Sequence, residues 1–145
     1  MFHSYCIKTL LQEKMPSFLI SLGGNVYAGE KPLDGRKKWG VSVQCPDGIP
    51  SIQPGSDILE VLYDTHMSFV TSGDYQRTYA VDGKLYHHII DPDTLFPSAY
   101  WRSVTVVCAD SGLADALSTA CFVLGETDAR VLLAQYPGVE ALFIH

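Results

Sequence analysis

Apolar and polar positions change period several times along the chain, and each change marks an element. Residues 4–15 place Ile7, Leu10 and Leu11 on one face of a short helix that Pro16 stops. The apolar run SFLISLGGNVYAG, residues 17–29, predicts a buried strand broken at Gly23 and Gly24. In WGVSVQCP, Val41 and Val43 alternate with Ser42 and Gln44, the pattern of a half-buried strand. Pro46, Asp47, Gly48, Pro50 and the QPGSD cluster then predict a turn-rich connection, after which apolar patterning resumes at Ile58.

Several strands follow, and Asp82-Gly83 is the strongest hairpin signal, pairing residues 75–81 with residues 84–90. WRSVTVVCAD is a strand rich in β-branched residues that leads directly into a helix, capped by Asp110 or Ser111 and ended by Gly125. A second helix over residues 128–135 and a final strand, VEALFI, complete the pattern. Strands joined by hairpins, with helices grouped near the ends, predict an α+β fold: a mainly antiparallel sheet with the helices packed on one face. A chain of 145 residues suffices for one domain, residues 1–145, burying roughly 70% of its unfolded surface.

Composition narrows the function classes. The chain is 47% hydrophobic, with eight Tyr, six Phe and two Trp, which excludes a disordered protein. A formal charge of -6 argues against a nucleic acid partner or an anionic membrane surface. Arg36-Lys37-Lys38, the only basic cluster, predicts a solvated loop. No apolar run spans a bilayer, and the first residues lack the segmented pattern of a signal peptide, so a cytoplasmic location is expected. Cys6, Cys45, Cys108 and Cys121 are too widely spaced for a zinc motif, and Cys108 and Cys121 are expected in the core.

Candidate chemistry is concentrated in four stretches. On the helix DSGLADALSTACFVLG, at about 100° per residue, Leu113, Leu117, Ala120, Cys121 and Leu124 form one stripe, with Asp115, Ser118 and Thr119 roughly opposite. Phe122 falls near Asp115, so this second face is poor in charge and resembles a pocket wall. Asp115 and Thr119, four residues apart, point their oxygens the same way, a donor set suited to magnesium. Such pairs are common on solvated faces too, so spacing alone leaves both readings open. SLGGN offers either a strand irregularity or bare backbone for close ligand approach, and it matches neither nucleotide-binding glycine pattern. TSGDYQR supplies Thr71, Ser72 and Gly73 between strands. In YHHIIDPDT, His87 and His88 fall on opposite sides of a strand, so only one faces inward, either as a structural histidine or as a proton acceptor beside Asp91.

Taken in order, SLGGNVYA, WGVSVQCP, TSGDYQR, YHHIIDPDT with Pro97, and SVTVVCADSGLADALSTACFVLG resemble the C-terminal half of the ApbE-like family, the FAD:protein FMN transferases. The resemblance runs from about Lys8 to His145. It implies a T-fold-like architecture and a magnesium-dependent transfer of FMN from FAD to a Ser or Thr of an acceptor protein, releasing AMP. Asp115 and Thr119 are then implied as metal ligands and His88 as the catalytic histidine. Gly23, Gly24, Thr71, Ser72, Gly73, His88 and Asp91 are implied to line the flavin and phosphate cavity. The family carries glycine where Leu95 stands, a substitution expected to remove access to positive φ. A flavin-binding remnant without catalysis, and a structural module, are the alternative readings. A homo-oligomer or a complementing chain is expected under each, because half of a fold leaves apolar surface exposed.

Overall fold

The structure, a computed structural model, describes residues 2–46, 57–75 and 77–145. Most of the predicted turn-rich connection lies outside the described residues. The elements are α1 (Phe2–Lys14), β1 (Leu19–Leu22), β2 (Asn25–Ala28), β3 (Trp39–Gln44), β4 (Ile58–Asp64), β5 (Met67–Gly73), β6 (Thr78–Val81), β7 (Lys84–His87), β8 (Ser103–Cys108), α2 (Ser111–Val123), α3 (Glu126–Leu133) and β9 (Glu140–Ile144). Five strands form an antiparallel sheet in the order β1-β2-β5-β8-β9, and β3-β4 and β6-β7 form two separate ribbons.

Strand alternation divides the core between the two faces of the sheet. On one face Val70, Val104, Val106 and Cys108 pack under Ala114, Leu117, Cys121 and Phe122 of α2. On the other, Phe69 and Ala28 meet Val41 of β3, with Trp39, Leu62 and Val107 around them. Neighbouring residues such as Phe69 and Val70 serve opposite cores because successive side chains leave a strand in opposite directions. This explains why the interior strand β8 is buried almost without interruption.

The α+β prediction holds as an antiparallel five-stranded sheet with helices packed against it. SFLISLGGNVYAG is not one buried strand. It is the β1-β2 hairpin, with Gly23 and Gly24 at φ 59° and 90° in the turn, and Leu19 and Leu22 lie exposed on an edge strand. Both turn residues need the left-handed region that glycine enters without penalty. Leu10 is 59% exposed, so the expected apolar face of α1 is only partly covered. Lys8 ties that helix down: its ammonium donates to the Ala109 carbonyl at 3.0 Å and lies 4.0 Å over the Tyr27 ring. Burial draws this ammonium below its ordinary range, with Asp110 opposing the shift.

Gly125 does not terminate α2 by a left-handed turn. Its φ is -66°, and it caps the start of α3, which begins two residues earlier than predicted, at Glu126. Side chains terminate α2 instead. Trp101 Nε1 donates to the Leu124 carbonyl at 2.8 Å and Ser98 Oγ to the Phe122 carbonyl at 3.0 Å, satisfying groups that the end of the helix leaves unpaired.

Candidate functional site

The β6-β7 hairpin turns through Asp82 and Gly83, both at positive φ (49° and 76°), as its two-residue turn requires. Pairing runs outward from there to Thr78 opposite His87, and Arg77 and His88 are the next two positions. The regular strands are shorter than predicted, but the alternation continues. His87 is buried, and His88 is exposed and lines a cleft.

The partners of His87 define its role. Its Nε2 lies 2.7 Å from the Ser98 carbonyl and its Nδ1 accepts the Ile89 N–H at 3.3 Å. A carbonyl only accepts and an amide only donates, so Nε2 carries the proton and the ring is neutral. Its edge meets the Phe122 ring at a centroid separation of 5.5 Å and an interplanar angle of 88°. His87 is therefore the structural histidine, and it pins the segment that delivers His88.

The segment following His88 folds back on itself. Ile90 bridges Pro97, the Ser98 N–H donates to the Ile89 carbonyl at 3.2 Å, and the Leu95 N–H donates to the Asp91 carbonyl at 2.8 Å. The Asp91 carboxylate accepts from the Asp93 and Thr94 amides at 2.8 and 3.4 Å, a turn-forming use of aspartate. Asp91 is not among the residues lining the cleft. Leu95 closes the turn at φ 61°, so the expectation that it lacks access to positive φ is not met. The left-handed region costs a non-glycine residue about 1–2 kcal/mol. Leu95 is 76% exposed and contributes little packing to offset this. Leu95→Gly is expected to stabilise the chain by roughly 0.5–1 kcal/mol, after allowance for the greater freedom of glycine when unfolded. Chemical denaturation reads this directly, and a lower midpoint for the variant contradicts it.

On α2, Asp110 is the N-cap, accepting the Leu113 N–H at 2.8 Å. Ser111 Oγ donates to Asn25 Oδ1 at 3.0 Å, which fixes the β1-β2 turn near the start of the helix. The second face of α2 is partly buried and partly lines a cleft, in keeping with its resemblance to a pocket wall. Ser118 and Phe122 are fully buried, because the helix meets the sheet along one side and the 98–101 segment near its end. Asp115 is half-buried and Thr119 exposed, and both line the cleft.

A short hydroxyl relay fixes the orientation of Thr119. Ser118 Oγ donates to the Asp115 carbonyl at 3.1 Å. A hydroxyl has one hydrogen, so Ser72 Oγ, 3.0 Å from Ser118 Oγ, donates to Ser118. By the same count Thr119 Oγ1, 3.2 Å from Ser72 Oγ, donates to Ser72. Lone pairs on Thr119 Oγ1 thus remain free to act as an oxygen ligand beside the Asp115 carboxylate. A carboxylate and a hydroxyl are a hard-cation donor set. Among the described residues there is no group of three or more His, Cys, Asp or Glu side chains suited to a metal. The donors present therefore fit an ion such as magnesium, which keeps waters or substrate oxygens in its shell, better than zinc or a fully caged calcium.

The cleft has a volume of about 390 Å³ and brings together Gly23, Thr71, Ser72, Gly73, His88, Asp115 and Thr119. Gly24 and Asp91 are outside its lining. Two members have structural duties as well. Thr71 Oγ1 pairs with Thr105 Oγ1 at 2.8 Å across the strands, and a Cβ on Gly73 would lie 2.8 Å from the Tyr75 ring. Arg77 also lines the cleft and was missed by sequence reasoning. Counting outward from Asp82-Gly83 would have found it, because a two-residue turn places residue 77 across from residue 88. A larger cavity of about 540 Å³, lined by His87, Tyr86, Phe96 and Trp101, contains none of the predicted site residues.

These features define an α+β protein with a polar cleft, where a strand end, a glycine turn, a hairpin end and a helix face meet. The chain belongs to the ApbE family, whose family model matches residues 4–143. It is 41% identical over 146 residues to the FAD:protein FMN transferase of Treponema pallidum, covering 95% of this chain and 39% of that protein. With a Klebsiella pneumoniae FAD:protein FMN transferase it shares 34% identity over 137 residues, covering 93% of this chain and 39% of that protein. Among solved structures, the ApbE protein of Thermotoga maritima is similar at a TM-score of 0.78 and 32% identity, covering 98% of this chain and 45% of that one. The apo Pseudomonas stutzeri flavinyl transferase ApbE gives a TM-score of 0.67 at 29% identity, covering 97% and 41%. The chain spans only about two-fifths of the length of the curated relatives it matches.

Proposed function

We propose that this chain carries the metal and flavin-phosphate end of a flavin transferase site, acting with FAD and magnesium on a Ser or Thr of an acceptor protein. The observation that carries the reading is the convergence of His88, Asp115 and Thr119 on one cleft, from a hairpin and a helix far apart in sequence. Names borne by the relatives supply the reaction class. Because the chain covers 39% of those relatives, the reading assigns the remaining ligand contacts to the part of the family fold outside this chain.

In this mechanism the acceptor hydroxyl oxygen attacks the phosphorus of the FMN moiety, and its proton passes to an imidazole nitrogen of His88. The new O–P bond replaces the bridging P–O bond, and AMP leaves with the displaced oxygen. Asp115 and Thr119 would hold the cation, which would supply neutralisation of charge on the phosphoryl oxygens. Ser72 and Ser118 orient the Thr119 hydroxyl through their relay. Gly23 keeps the cleft open, since nothing lies within 4 Å of where its Cβ would stand.

Titration of the purified chain with FAD, with and without magnesium, tests the binding part of this reading. Binding is expected to strengthen with magnesium, and the magnesium effect is expected to vanish in Asp115→Ala. Equal FAD affinity with and without the ion contradicts the assignment of Asp115 and Thr119.

A further inference from the structure

We infer that Arg77 is the anion-binding residue of the cleft, gripping the phosphate groups of the ligand in the same cleft that Asp115 lines. This deepens the flavin transferase reading and rests on it for the identity of the ligand. Three observations carry it. Arg77 and His88 follow the last paired residues of the same hairpin, Thr78 and His87, so the alternation that buries His87 turns both toward the cleft. Among the described residues, Arg77 is the only Lys or Arg that lines the cleft, in a chain whose formal charge is -6. Among the described residues, none of the ion pairs or hydrogen bonds involves the Arg77 guanidinium, whereas Arg36, Arg102 and Arg130 each pair with a carboxylate.

An unpaired guanidinium in the same cleft as a carboxylate suits a ligand that carries several negative charges and brings a cation. The planar fork of Arg can engage two phosphoryl oxygens at once, while Asp115 would receive the metal. A diphosphate satisfies both groups, and a neutral flavin ring satisfies neither. Arg77 thus selects for the phosphate part of the ligand, beside the histidine that receives the proton.

The test compares magnesium-supported binding of FAD, riboflavin and inorganic pyrophosphate to the wild-type chain, Arg77→Gln and Arg77→Lys. Arg77→Gln is expected to weaken FAD and pyrophosphate by roughly 10- to 100-fold, as for loss of charge-assisted hydrogen bonds. Riboflavin binding, weak in all three proteins, is expected to stay unchanged, and Arg77→Lys to keep part of the pyrophosphate affinity. Unchanged FAD and pyrophosphate binding in Arg77→Gln overturns the inference, as does an equal loss for riboflavin. Arg77-dependent binding of pyrophosphate without binding of FAD supports the anion role while refuting the flavin reading. Binding of neither ligand by the wild-type chain overturns both.

Discussion

His88→Ala is expected to lower transfer of FMN to an acceptor protein by about 10²- to 10⁴-fold while leaving FAD bound. The magnitude follows from the proposed task, since a Ser or Thr hydroxyl is a poor nucleophile until a base receives its proton. The structure also provides an internal control. His88 is exposed, so its removal leaves no void and little change in stability. His87, one residue away, is buried with both ring nitrogens engaged and its edge against Phe122. His87→Ala is therefore expected to lower the unfolding midpoint, whereas His88→Ala leaves that midpoint in place and removes the activity. Measuring both variants by denaturation and by transfer separates the two roles. A His88→Ala protein with normal transfer rates refutes the assignment of the base.

Phe122→Ala is expected to destabilise the chain by about 3–5 kcal/mol, a large fraction of the roughly 5–15 kcal/mol that holds a typical native protein folded. Phe122 is fully buried and sits where α2, the sheet and the His87 ring converge. Its carbonyl accepts the Ser98 hydroxyl, and Ser98 in turn accepts from His87, so one residue joins the helix to the segment bearing His88. Urea denaturation is expected to show a large fall in midpoint, or a chain unfolded without denaturant. A change below about 1 kcal/mol would place Phe122 outside a well-packed core.

Phe122 also shows what the sequence could and could not convey. A helical wheel assumes one buried side, and it placed Phe122 and Ser118 on the face opposite the stripe. In the folded chain α2 has neighbours on more than one side, and the contacts that bury those residues come from segments remote in sequence. The two glycine turns differ for a related reason. Asp82-Gly83 stood between alternating runs and was legible as a hairpin. Gly23-Gly24 stood inside an apolar run and looked like an interruption, although it performs the same reversal. Edge strands carry no burial signal, so β1 had nothing in its composition to mark it as separate.

Helical spacing was enough to put Asp115 and Thr119 on a common face, and strand alternation to put His87 and His88 on opposite sides, while the roles of Asp115, Thr119 and His88 rested on the family resemblance. Which histidine turns inward depends on Ser98 and Phe122, which no local pattern connects to residue 87. Asp91 looked like a partner for a histidine, but local amides claim its carboxylate. Leu95 broke the glycine expectation of its turn, and the backbone adopts the left-handed conformation there regardless.

Flavin transfer at this cleft is read from the intact mass of a flavin-accepting protein incubated with the chain, FAD and magnesium. A mass increase of one FMN group per modified acceptor is expected, with an equal amount of AMP released and neither product formed by His88→Ala. FAD bound tightly in the presence of magnesium, with the acceptor mass unchanged, contradicts it.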